Sequence, residues 1–207
     1  MGTDPEIKET LNILGQLATQ LDYLAETWKV LFENENLINN ITLSGYYFPI
    51  KLFDSTSGII QNLIIIKANA FLDEFNQEFT IAKFPQYEHK ILNIKKWCKP
   101  IMEPIKKWSG IKSYRNEILG HNLRKKGKSL FNTISEYKIP YTHYDNLALC
   151  ELIFMIADQL KYEFEDIMKD CLTLKLNESY SVPNKNSLYP EDINRIRGLV
   201  EELRTDI

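Results

Sequence analysis

The chain has 207 residues, of which 44% are hydrophobic and 26% charged, and its net charge at pH 7 is −3. This composition excludes a disordered or fibrous chain, and the length suits one domain with a proper core, alone or with an appendage. The most apolar run, 63–66, ends at Lys67, far short of a membrane span, and no secretory signal is visible. A cytoplasmic protein with no membrane partner is therefore expected.

The first half of the chain shows helical periodicity. From about Pro5 to Phe32, apolar residues recur at alternating spacings of four and three, which predicts one long helix with a core-facing stripe. Asp4 and Pro5 are typical of its start. An Asn-rich connection follows at 34–45. A second helix is predicted from about Pro49 to Ala82, and the residues expected to face inward are Ile59, Leu63, Ile66, Ala70 and Phe71.

Prolines divide the middle of the chain. Pro85 is expected to end the second helix, and a shorter helix is predicted from about 87 to 98. Pro100 and Pro104 are expected to break that helix and to start another, which ends near Gly120. A basic, irregular stretch at 121–141 is predicted to be a binding loop.

The last third contains one strong helical pattern. It runs from Thr142 to about Leu172, and its predicted core face comprises Leu149, Leu152, Ile153, Ile156, Leu160, Phe164 and Ile167. A linker at 173–189 and a short helix at 190–203 follow.

These elements predict an all-α fold, an antiparallel bundle of four to five long helices with a short C-terminal helix. Residues 1–172 form the predicted bundle, and residues 173–207 form a linker and a C-terminal helix packed on or beside it. No β-hairpin signal is visible. The three Cys (Cys98, Cys150 and Cys171) fall in apolar patterns and are expected to be buried and reduced. His89 and His143 are interpreted as structural, and no pattern predicts a metal or a cofactor.

One segment of this acidic chain is strongly basic. Residues 95–128 carry eleven Lys and Arg against two Glu, a net charge of +9, so the remainder carries −12. Residues 115–121 within it read Arg-Asn-Glu-Ile-Leu-Gly-His. Arg is a fixed, bidentate phosphate ligand, and His exchanges protons near neutral pH. Together they are the two side chains needed to cleave RNA without a metal.

The spacing of Arg115 and His121 favours a site shared by two chains. Six residues of an unbroken helix leave the two side chains about 120° apart around the axis and about 9 Å apart along it. Gly120 favours a helix end there, and two copies of the motif across a two-fold axis would form one cleft. A simpler alternative stays open: Glu117 and His121 are four residues apart and can pair, and Arg115 can be an ordinary surface residue.

The segment from Arg115 to Asn122 resembles the signature of HEPN domains (higher eukaryote and prokaryote nucleotide-binding), in which Arg and a polar residue precede a His by four to six positions. The likeness is closest to the abortive-infection type of bacterial phage defence. It covers about residues 5–172, although only residues 115–122 are specific.

The resemblance implies a homodimer with its site at the interface and, in active members, a metal-independent endoribonuclease. His121 would be the general acid or base in attack of the RNA 2′-hydroxyl on the adjacent phosphate. Arg115 would hold that phosphate, and Asn116 would orient the site. Some toxin members carry a Tyr two residues after the His, where a partner enzyme modifies them; this chain has Leu123 there.

The residues around the motif are candidate RNA contacts. The cations are Lys112, Arg124, Lys125, Lys126 and Lys128, and Tyr114 and Trp108 are possible stacking surfaces. A ribonuclease of a toxin–antitoxin or phage-defence system, with a possible antitoxin protein as partner, is the favoured hypothesis. The alternatives are a non-catalytic HEPN bundle that binds RNA, nucleotides or a protein, and a structural or antitoxin-like helical partner.

Overall fold

The computed structural model describes residues 4–45, 48–119 and 137–171. Within these ranges the chain is all-α apart from one two-stranded sheet, so the predicted fold class is confirmed. The chain divides into two units between Thr173 and Leu174, and the described residues all belong to the first. The predicted C-terminal linker and helix lie outside the described residues, as does most of the predicted basic loop.

Seven α-helices are described in these ranges: α1 Asp4–Glu33, α2 Glu35–Ile38, α3 Leu52–Asp73, α4 Glu88–Ile105, α5 Ile111–Tyr114, α6 His143–Glu163 and α7 Glu165–Cys171. Two π-helices follow α3 and α5, at Glu74–Glu78 and Arg115–Leu119, and two 3₁₀ turns lie at Pro85–Tyr87 and Lys106–Trp108. The sequence predicted no β-hairpin, but β1 (Thr42–Leu43) pairs antiparallel with β2 (Ile50–Lys51). None of the helices described is long and apolar enough to cross a membrane.

The core is built around α1 and α6. Helix α1 contacts α3, α6 and α7, and α6 also contacts α3 and α4. The predicted stripe of α1 ends at Phe32 and is confirmed, since its other seven members are buried: Ile7, Leu11, Leu14, Ala18, Leu21, Ala25 and Trp28. Each fully buried Leu or Ile contributes about 1.5–3 kcal/mol relative to an exposed one. Because α1 carries one uninterrupted apolar stripe and is polar elsewhere, that stripe determines which side of the helix packs against the core.

The inward face predicted for α3 was wrong. Of the five residues predicted to face the core, only Phe71 is buried, whereas Ile59 is 58% exposed and Leu63 is 38% exposed. The core instead covers a different side of the helix, formed by Phe53, Ile60, Ile64, Ile65 and Ala68, and it shares only Phe71 with the predicted face. Because α3 is apolar on both sides, helical spacing alone does not select the side that the neighbouring helices cover.

Pro100 and Pro104 do not break the helix as predicted, since α4 continues through both. The buried side of α4 is formed by Ile91, Ile94, Cys98, Ile101 and Ile105. Pro100 is exposed and Pro104 is half-buried, so the carbonyl groups that lose a helical donor lie on the outer side, where water can bond them.

Helix α6 begins where the sequence predicted. The Thr142 hydroxyl accepts a hydrogen bond from the Asp145 amide at 3.1 Å, and the Asp145 carboxylate accepts one from the Thr142 amide, which forms a capping box. The predicted long helix is interrupted at Phe164, where Lys90 donates to the Glu163 carbonyl at 2.6 Å. Five of the residues predicted to face inward are buried: Leu149, Ile153, Ile156, Leu160 and Phe164.

The prediction of buried, reduced thiols is confirmed for Cys98 and Cys150, which are buried and free. Burial raises the pKa of Cys98 to about 11 and that of Cys150 to about 12. The side chain of Cys171 lies outside the described residues.

Candidate functional site

The motif lies on a π-helical segment. Residues Arg115–Leu119 continue directly from α5, and the whole piece packs against α3. Its buried side chains are Ile111, Tyr114 and Ile118, spaced by three and four residues, so they anchor one side and leave Arg115 on the other. The π-helix is rare, and short π segments are frequent at functional sites because they redirect side chains.

Arg115 is exposed and is oriented by its neighbour. Its Nη1 atom donates a hydrogen bond to the Oδ1 atom of Asn116 at 2.8 Å. A guanidinium has five N–H donors, and this bond uses one of them. Asn116 therefore engages one N–H group of the guanidinium, and the Arg115 side chain stays exposed.

A hydrogen bond ties the motif segment to the chain beyond the basic loop. The Tyr137 hydroxyl donates to the Oε2 atom of Glu117 at 2.8 Å. The Tyr137 ring packs edge-on against Tyr114, with centroids 5.4 Å apart. The Tyr114 hydroxyl donates in turn to Asn62 of α3 at 3.3 Å. Tyr137 is thus linked through Tyr114 to α3, against which the motif segment packs.

A backbone contact fixes the other end of the segment. The Gly110 amide donates to the Lys138 carbonyl at 2.9 Å. A Cβ atom added at Gly110 would lie 2.7 Å from the Lys138 nitrogen, closer than side chains tolerate. Glycine is therefore required here for a close backbone approach, just before α5 begins.

Lys112 shares a carboxylate with two amides. Its Nζ atom lies 3.3 Å from the Oδ1 atom of Asp73, which also accepts from Gln77 at 3.0 Å. The other Asp73 oxygen accepts from the buried Asn69 at 2.9 Å. Both members of the ion pair are partly exposed, so it contributes little to stability, and a phosphate can compete with Asp73 for Lys112.

The structure brings together part of the site expected from the sequence. Arg115, Asn116 and Lys112 lie on one continuous stretch that packs on α3. Tyr114 is only 3% exposed, and its ring is packed against Tyr137, so it has no free face on which a base could stack. The other predicted site residues lie outside the described residues: His121, Arg124, Lys125, Lys126 and Lys128.

Sequence reasoning missed the Glu117–Tyr137 contact. The alternative considered for Glu117 was a local pair with His121, four residues on. The residue that bonds Glu117 here is twenty positions away, and no local pattern connects the two. A tyrosine at the end of a long basic loop was the one available signal.

Two other features distinguish the surface of the protein. A groove is lined by four carboxylates (Glu6, Glu9, Glu74 and Glu78) and by one cation, Lys83, so its net negative charge disfavours phosphates. Burial, and then Glu78, raise the pKa of Glu74 above its usual value. In the part of the chain that the structure describes, no group of three or more His, Cys, Asp or Glu side chains is placed to hold a metal ion.

His143 packs as a structural residue. Its ring stacks on Phe32 with centroids 4.0 Å apart and contacts Tyr144 at 3.7 Å, which joins the end of α1 to the start of α6. This agrees with its interpretation from the sequence.

No protein-family model, curated protein or solved structure matches this chain.

Proposed function

We propose that this chain is a metal-independent endoribonuclease of the HEPN type that its motif resembles, acting in a toxin–antitoxin or abortive-infection system. The observation that carries the proposal is Arg115, exposed on a π-helical segment and oriented by Asn116, six residues before His121 within the +9 segment. RNA and a second copy of the chain are the proposed partners, and an antitoxin protein is a further one.

The proposed reaction uses the RNA 2′-hydroxyl as its nucleophile. His121 removes the proton from that hydroxyl or protonates the leaving 5′-oxygen, and a shared site would supply one His for each role. The 2′-oxygen forms a bond to phosphorus while the bond to the 5′-oxygen breaks. The products are a 2′,3′-cyclic phosphate and a 5′-hydroxyl, so neither water nor an oxidant is consumed.

Arg115 acts on the charge that develops at phosphorus. Its guanidinium compensates the added negative charge on the phosphoryl oxygens in the transition state, and removal of one such donor typically costs about 10²–10³-fold in rate. Lys112, Arg124, Lys125, Lys126 and Lys128 bind the flanking phosphates, which makes binding dependent on salt. Tyr114 has no part in this proposal because its ring is buried.

The test is cleavage of single-stranded RNA in EDTA by the full chain. We expect cyclic-phosphate products from the wild type and at least about 100-fold slower cleavage by Arg115→Ala and His121→Ala. Lys161→Ala is the matched control, because Lys161 is an exposed cation on α6 outside the basic segment. The catalytic assignment is refuted if the wild type leaves the RNA intact or if His121→Ala cleaves equally well.

The same samples test the non-catalytic alternative. If RNA binds without being cleaved, binding should be abolished by charge reversal at Lys125 and Lys126 and should survive His121→Ala. That result would replace the ribonuclease with a binding module that uses the same basic segment.

A further inference from the structure

The acidic groove lies between the start of α1 and the π-helix that follows α3. Helix α1 forms one wall with four residues that are spaced by three, one and three positions and so share one side of the helix: Glu6, Glu9, Thr10 and Ile13. The π-helix forms the other wall, through Glu74 and Glu78. The groove encloses about 290 Å³, a volume at the small end of the range for ligand pockets.

Both walls of the acidic groove are anchored in the core. Ile7 and Leu14 of α1 are fully buried, and so are Phe75 and Phe79 beside the carboxylates of the π-helix. Helix α1 packs directly against the π-helix. The backbone positions of the four Glu residues are therefore fixed, which lowers the cost of ordering them around a ligand.

Negative charge in the groove exceeds positive charge. Four carboxylates share the lining with one cation, Lys83, so the net charge is −3. Lys83 pairs with Glu78, whereas Glu9 and Glu74 have no ion-pair partner in the part of the chain that the structure describes. Burial, and then Glu78, raise the pKa of Glu74. A cation bound beside Glu74 would offset both effects, because it favours the charged carboxylate.

The groove also contains a hydroxyl without a partner. Thr10 lines the groove and is only 4% exposed, yet its side chain makes no hydrogen bond to any residue that the structure describes. Thr19 and Thr27 of the same helix each donate to the carbonyl four positions back. A nearly buried hydroxyl that forgoes this bond costs free energy, so Thr10 indicates a hydrogen-bonding group supplied from outside the chain.

The spacing of the carboxylates favours one class of cation. Among the described residues, no three acidic, His or Cys side chains lie close enough together to hold a single metal ion. A cation with several separated charges can instead reach the carboxylates one at a time. Ile13, which is 36% exposed, adds an apolar contact of the kind that methylene groups between charges use.

We propose that the acidic groove binds a linear aliphatic polyamine. Its ammonium groups pair with Glu9 and Glu74, and one of them donates a hydrogen bond to the Thr10 hydroxyl. Its methylene groups lie against Ile13. A triamine that carries three positive charges matches the net charge of −3 in the groove. The site shares no residue with the motif segment, so it does not depend on the proposed ribonuclease.

The test is isothermal titration calorimetry of the full chain with spermidine, a linear triamine, in about 0.1 M NaCl, which screens long-range attraction. We expect one site with a Kd below about 1 mM. Glu74→Gln should weaken binding about fivefold because it removes an unpaired carboxylate from the groove. Thr10→Val keeps the shape of the side chain and should weaken binding by removing the hydroxyl. Glu151→Gln is the matched control, since it removes an exposed carboxylate on α6 that does not line the groove.

Four results would overturn the proposal, and far-UV circular dichroism checks that every variant folds. The first is a wild type that does not bind spermidine at about 1 mM. The second is Glu74→Gln or Thr10→Val binding as tightly as the wild type. The third is an equal loss of affinity in Glu151→Gln and Glu74→Gln, which would show attraction to the overall charge of the protein. The fourth is an oligolysine peptide that binds at least about tenfold more tightly than spermidine, which would assign the groove to a protein partner.

Discussion

The bond between Tyr137 and Glu117 allows a direct measurement of how firmly the motif segment is held. Tyr137→Phe removes only the hydroxyl and preserves the edge-on contact with Tyr114. A hydrogen bond to a charged partner contributes about 1.5–3 kcal/mol. Because both side chains are half-buried, we expect the lower end of that range. The free energy of unfolding should therefore fall by about 1.5 kcal/mol.

The assay is urea unfolding at pH 7, followed by circular dichroism, in a double-mutant cycle with Glu117→Ala. The cycle isolates the pair because other contacts of either residue cancel. We expect a coupling energy of about 1 kcal/mol or more between the two positions. Glu117→Gln keeps an acceptor oxygen and should lose less stability than Glu117→Ala. A coupling below about 0.3 kcal/mol would refute the view that this bond holds the segment.

The remaining predictions concern the fold. Gly58→Ala should stabilise the protein by about 0.5–1 kcal/mol in urea unfolding, since Gly58 is helical and an added Cβ meets nothing within 4 Å. Gly110→Ala should destabilise it, because a backbone atom lies 2.7 Å from the added Cβ. Equal changes in the free energy of unfolding for the two variants would contradict this reasoning.

Burial lowers the pKa of Lys95 to about 8 in the folded state, against 10.5 ordinarily. The unfolded chain therefore binds more protons between pH 8 and 10.5, and the contribution of Lys95 to stability should rise across that window. Between pH 7.5 and pH 10, the free energy of unfolding should rise less for Lys95→Met than for the wild type. An unchanged pH dependence in this variant would exclude the pKa shift of Lys95. Cys98 and Cys150 should react with a thiol reagent at pH 8 only after unfolding, because burial keeps both as thiols; rapid labelling of the folded protein would contradict this.

A local pattern was sufficient to predict a structural feature when all the residues that determine the feature lie in one segment. Helix α1 has one apolar side, and the two residues of the Thr142 capping box are three positions apart. The stripe and the start of α6 near Thr142 therefore followed from the sequence. The residue types at Arg115 and Asn116 also identified a candidate anion fork before any contact was known.

The tertiary structure decided whatever depended on neighbours from distant parts of the chain. Helix α3 has apolar residues on both sides, so only its packing against α1 and α6 showed that Ile64 is buried and Ile59 is exposed. Tyr114 is an aromatic residue of the type that stacks on bases, but its contacts with Asn62 and Tyr137 place it in the core. Periodicity measures how apolar residues are spaced along one helix, and burial depends on what the rest of the chain brings against each side.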